Sequence, residues 1–176
     1  MINPLYKNKQ IIRQMQFHFK NSGILKLDNF YTTPESISKQ ISKQKFIKKY
    51  SPAEYSFEES KKIPINKKEL KKFLSNFSKV INLKLNLKIY AHKGYTLLND
   101  YQKMRKIGFI IDFTKKWNND SNGYTSFIKN NIEILRIYPE YNNITIVNTK
   151  NNVKNFVKYV NCLAKTKRIV VEGSIP

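Results

Sequence analysis

Residues 83–89 read LKLNLKI, with Leu83, Leu85, Leu87 and Ile89 alternating with Lys and Asn. An apolar side chain at every second position is the period of a pleated strand with one buried face. Just upstream, over 66–81, the period is helical: Leu70, Phe73, Leu74, Phe77, Val80 and Ile81 recur at three- and four-residue spacing. There Asn66, with Glu69 three residues on, forms a capping box. Beyond Ile81 short apolar segments follow at 95–98, 107–113, 124–128, 132–138, 144–148, 156–160 and 168–173. Between them lie turn formers such as WNNDSNG and KNN. About eight short strands without intervening helices predict a sandwich, barrel or jelly roll.

The amino-terminal part reads as its support. Over 6–21, Ile11, Ile12, Met15 and Phe19 share one helical face, and Gly23 can end that helix. Residues 24–27 read as a strand. Thr33-Pro34-Glu35 opens a short polar helix running to about 46. From 47 to 65 the pattern is irregular, with one strand suggested by Tyr55 and Phe57. The expected architecture is α+β, a single domain over 1–176 with a helical, Lys-rich support at 1–81 and a jelly-roll core at 82–176. At 176 residues and 20.9 kDa one core suffices without a metal or disulfide staple, and the single Cys162 excludes an internal disulfide. No apolar run approaches a membrane span and the start is polar, so a soluble, cytoplasmic protein without a membrane partner is expected.

The charge is the second strong signal. Lys+Arg number 33 against 12 Asp+Glu, a net +21. Twenty-nine of the 33 are Lys, beside 21 Asn and many Ile. All three share AT-rich codons, so codon bias accounts for part of the excess. It does not account for crowding: 39–93 holds 15 Lys against 4 Glu, and 150–168 holds six basic residues and no acid. Such density attracts polyanions, and Lys suits phosphate better than base edges. The candidate nucleic-acid contacts are Lys67, Lys68, Lys71, Lys72, Lys154, Lys158, Lys165 and Lys167. Among them, Phe46, Tyr50, Tyr55 and Phe57 could stack on bases, although core packing is the plainer reading.

Four stretches, GYTLLNDY (94–101), IGFIIDFTKKWNNDSNGYTSF (107–127), IYPEYNNITIV (137–147) and FVKYVNCLAKTKRIVVEGSI (156–175), follow one another in a telling order. In this order the carboxy-terminal half resembles the Fe(II)/2-oxoglutarate dioxygenases, in particular the prolyl 4-hydroxylase-like members. The resemblance implies a double-stranded β-helix. It also implies a His-x-Asp motif, a hydrophobic strand, a Trp-containing turn before a Gly, a distal His, and a last-strand Arg that pairs with the far carboxylate of 2-oxoglutarate.

Arg168 matches that last position and is the candidate cofactor-binding residue; a plain strand Arg or a phosphate contact beside Lys165 and Lys167 is the other reading. The iron ligands are not matched. The first motif falls on Asn99, Asp100 and Gln102 in either register, and the distal position on Asn155 or Cys162. Two imidazoles and a carboxylate are what such an iron site requires. The only histidines are His18, which reads as a surface residue of the first helix, and His92, an outside candidate near the motif. Asp100 and Asp112 could pair as hydrolytic carboxylates, but strand-end acids more commonly form turns. Cys162 reads as a buried core thiol. No metal and no cofactor are therefore expected, and the chain reads as an oxygenase-like protein that has lost its iron ligands and binds RNA or a ribonucleoprotein through its basic surface. The alternative is an active 2-oxoglutarate-dependent hydroxylase using Fe(II) and a non-standard ligand set such as Asp100 and His92. A third reading is a structural protein whose basic face meets another protein.

Overall fold

The amino-terminal helical pattern becomes α1 (Lys9–Ser22) in a computed structural model that describes residues 1–98, 107–150 and 153–175. The Asn8 side chain caps it by accepting from the N–H groups of Gln10 and Ile11 at 2.8 and 3.3 Å. Gly23 ends it at φ 72°, a left-handed conformation that strains residues with a Cβ. After β1 (Ile24–Leu27) comes α2 (Pro34–Ser42), which stops four residues before the expected end. The third helix, α3 (Lys67–Leu74), is likewise shorter than its periodic pattern. Its capping box is half formed. The Asn66 side chain accepts from the Glu69 N–H at 3.1 Å, but the Glu69 carboxylate turns away to the Ile2 N–H at 3.1 Å and Lys7 at 2.8 Å. Asn66→Ala should therefore cost about 1 kcal/mol, readable by urea denaturation.

The irregular stretch 47–65 holds two strands where one was expected, β2 (Ile47–Ser51) and β3 (Tyr55–Ser60), paired as a hairpin. The sequence hid β2 because it buries neither face, so no alternation marks it. Eight more strands follow: β4 (Lys84–Tyr90), β5 (Tyr95–Thr96), β6 (Ile107–Asp112), β7 (Thr125–Lys129), β8 (Ile132–Ile137), β9 (Asn143–Asn148), β10 (Lys154–Val157) and β11 (Arg168–Ile175). The described residues thus form the eight expected strands beyond Ile81, β4 to β11, and residues 1–81 contribute β1, β2 and β3 to the sheet as well as the helices.

All pairings are antiparallel, in the order β1-β9-β6-β11-β4-β3-β5-β10-β7-β8, with β2 on β3. The sheet curls into a jelly roll. β3 makes the corner: Glu58 to Ser60 pair with β4, while Tyr55 and Ser56 pair with β5. The β7–β8 turn is Asn130-Asn131, with φ 50° and 62°, the double positive φ of a tight hairpin turn that Asn tolerates.

Two cores follow from strand alternation. The outer one packs Met15, Phe19, Ile37, Ile41, Leu70 and Phe73 of the helices onto Leu87, Phe109, Ile111, Ile144 and Val171 of the sheet. The inner one lies inside the roll, between Tyr90, Ile110, Val147 and Val170 on one side and Phe127, Ile137 and Val157 on the other. β6 is buried on both faces, which is why IGFIID reads as an unbroken apolar run ending in an acid.

Candidate functional site

The two-residue period of β11 sends Val171 and Ile175 to the helical core and Arg168 and Val170 into the roll. Arg168 is thereby wholly buried, at 0% exposure. The same alternation in β6 points Ile110 and Asp112 inward, and in β4 it places Tyr90 opposite Arg168. Asp112 is 1% exposed, and its Oδ2 accepts from Arg168 Nε at 3.4 Å. Arg168 Nη1 donates to the Gly123 carbonyl at 2.6 Å and to Thr125 Oγ1 at 2.9 Å, while Nη2 is buried without a partner.

Each of these contacts has a local cause. Asp112 ends its strand as a turn former: Oδ1 accepts the Thr114 N–H at 2.8 Å, and Thr114 Oγ1 accepts the Ile169 N–H at 2.9 Å, which ties β6 to β11. Gly123, at φ 63°, sits under Trp117, where a Cβ would come within 2.8 Å of the indole ring. The Trp-containing turn before a Gly thus brings one carbonyl to the guanidinium.

A second pair continues the interior polar line. Tyr90 Oη donates to Glu172 Oε1 at 3.0 Å, and Lys88 meets Glu172 at 2.9 Å. Burial pushes the Glu172 carboxyl up, but Lys88, Arg168 and the Tyr90 hydroxyl outweigh it and hold the group below the usual range. At Asp112 the balance differs. Burial there outweighs Arg168 and the Thr114 hydrogen bonds and raises the carboxyl to about 6. Burial also drives the Tyr90 hydroxyl well above its ordinary value. Two cations and two carboxylates thus neutralise one another inside the roll.

This donor set does not fit a two-histidine, one-carboxylate iron centre. His18 is exposed on α1, in the helical layer, and His92 is exposed in the turn after β4. The sequence has no third imidazole. Among the described residues no group of three His, Cys, Asp or Glu could hold a metal ion. Asn99, Asp100 and Gln102 lie outside the described residues. Asn155 is half-buried in β10, paired with Phe127 of β7. Cys162, expected in the core, is exposed; β10 ends at Val157, and Val160 fills the buried position instead. Arg168, the expected partner of a 2-oxoglutarate carboxylate, here bonds Asp112, Gly123 and Thr125.

The lysines divide between two layers. Lys67, Lys68, Lys71 and Lys72 are exposed on α3, opposite its buried Leu70, Phe73 and Leu74. Lys154 and Lys158 lie on and just after β10, and Lys165 and Lys167 lead into β11, with Lys167 at 3.2 Å from Glu58. Phe46 packs on the outer core and Phe57 on the inner one, whereas Tyr50 is 61% exposed. Sequence reasoning missed Thr125, Gly123 and the Lys88–Glu172–Tyr90 line. The one signal available was a lone acid ending an apolar strand.

No family model matches this sequence, and neither does any curated protein. Solved structures do share its fold. A prolyl hydroxylase from Trichoplax adhaerens, in complex with a peptide of the hypoxia inducible factor oxygen degradation domain, superposes with a TM-score of 0.76 at 11% identity. The match covers 98% of this chain and 91% of that one. A Pseudomonas putida prolyl-4-hydroxylase gives 0.71 at 7% identity over 94% and 98%. The viral collagen prolyl hydroxylase of Paramecium bursaria Chlorella virus-1, in its 2-oxoglutarate complex, gives 0.62 at 13% over 89% and 97%. The jelly roll is therefore the double-stranded β-helix of the prolyl hydroxylase and 2-oxoglutarate–Fe(II) oxygenase structures. None of its helices, among the described residues, is long and apolar enough to cross a membrane.

Proposed function

We propose that this protein carries the oxygenase fold without oxygenase chemistry and serves as a basic RNA-binding protein. The observation that carries the reading is the placement of the two histidines, exposed in different parts of the fold, with the last-strand arginine already neutralised from within. Once the interior performs no reaction, the surface is what remains to act, and it holds a net +21 in lysine-dominated form. Lysine point charges favour backbone phosphates over base edges, so binding is broad in sequence and strongly electrostatic.

The test is fluorescence anisotropy with a labelled single-stranded RNA across 50–300 mM salt, using the full chain. With four to six phosphate contacts, the slope of log affinity against log salt is about −3 to −4, and affinity falls roughly 10²- to 10³-fold across the range. Salt-independent binding would contradict the reading. So would succinate formation from 2-oxoglutarate with Fe(II), lost in Arg168→Ala, which would restore the hydroxylase with an unusual ligand set.

A further inference from the structure

The turn between β4 and β5 and the chain just after β10 are clamped together by their backbones. Lys93 N–H donates to the Val160 carbonyl at 2.9 Å, and Val160 N–H donates to the Gly94 carbonyl at 2.9 Å. The turn itself closes through Gly94 N–H to the Ala91 carbonyl at 2.7 Å, and Lys93 is held at φ 68°, a conformation L side chains seldom adopt. A Cβ on Gly94 would approach the Ala91 carbonyl oxygen to 2.8 Å, so this close approach needs glycine.

The clamp presents three rings. Tyr159 lies 6.4 Å from His92 at 80° and 6.4 Å from Tyr95 at 31°. None of the three belongs to either core; Tyr159 is 41% exposed and His92 is exposed. Packing therefore does not explain them. Lys93 and Lys158 adjoin His92 and Tyr159 in sequence and are exposed. Aromatic faces on backbone-clamped turns, with exposed cations next to two of them in sequence, make a platform for an unpaired base and its phosphates.

The geometry points to a single-stranded RNA site at this rim, with a base stacked on Tyr159 between His92 and Tyr95 and the adjoining phosphates on Lys93 and Lys158. This rests on the RNA-binding reading above and locates it on the roll rather than on α3. An acidic protein segment would use the lysines but not the rings, whereas a duplex keeps its bases inside. Both differ from the proposed occupant in what the Tyr159 ring contributes.

The probes are a fluorescein-labelled 12-nucleotide single-stranded RNA and its duplex, with the full chain and Tyr159→Ala, Tyr159→Phe and Lys93→Gln/Lys158→Gln. Melting curves confirm that each variant is folded. Tyr159→Ala is expected to weaken single-strand binding about tenfold to a hundredfold at an unchanged salt slope, with Tyr159→Phe near wild type. The double lysine variant should reduce the slope by about 1.4, at roughly 0.7 per phosphate contact. Duplex should bind more weakly than single strand and lose nothing in Tyr159→Ala. Wild-type binding to single strand that Tyr159→Ala leaves intact overturns this site while leaving the RNA-binding reading standing. Wild type that retains neither probe at 50 mM salt overturns both.

Discussion

Asp112→Ala is expected to lower the unfolding free energy by about 3–5 kcal/mol, the range for removing one partner of a buried ion pair. The cause is the charge left behind. Arg168 has no solvent contact and would then hold its guanidinium against only the Gly123 carbonyl and Thr125 hydroxyl. The space vacated is that of a carboxylate, so formate or acetate at tens of millimolar should restore part of the melting temperature of Asp112→Ala and leave wild type unmoved. Failure of any small carboxylate to do so would mean that the guanidinium finds water or another partner.

The same group sets a pH dependence whose sign is fixed. Folding raises the Asp112 carboxyl from 3.8 to about 6, chiefly by burial. The folded state therefore binds a proton more readily than the unfolded one, and the stabilisation present at low pH is lost as pH rises to about 6. Glu69 and Glu172 shift the other way, so their contribution falls away only in more acidic solution. Stability measured from pH 4.5 to 6.5 should thus decline with pH in wild type and be flatter in Asp112→Asn.

Gly173→Ala carries the second large effect. Gly173 faces Phe109 across the β6–β11 pair, and a Cβ there would come 2.1 Å from the ring's Cζ and 2.5 Å from Cε2. The ring is 2% exposed and wedged against the helical core, so it cannot swing aside. A loss of about 3 kcal/mol is expected, at the upper end for overpacking. Phe109→Leu in the same chain should recover part of it, and this non-additivity in urea melts separates overlap from a glycine-specific backbone demand.

Much of the fold was legible because it is written locally. β4, β6, β9 and β11 announced themselves through alternation or unbroken apolar runs, and Gly23 and Asn66 mark helix ends where expected. β2 was not legible because a strand exposed on both faces leaves no apolar trace. Cys162 was misplaced for a related reason: the stretch after β10 is not a strand, so alternation does not govern which of its side chains turn inward.

The candidate site divides along the same line. Two histidines, a single last-strand arginine and a surplus of lysine are properties of the sequence itself, and they limit the chemistry whatever the fold. Which charge meets which is not. Asp112 and Arg168 stand 56 residues apart in the chain and become partners only because β6 and β11 pair in one register and both turn the same alternate side chains into the roll. His92 and Tyr159 meet only through the backbone clamp between two distant turns. Periodicity is set by neighbours a few positions away, whereas the partner of a buried charge is set by long-range strand pairing, and one residue of slip would send Arg168 out of the roll and toward the helices.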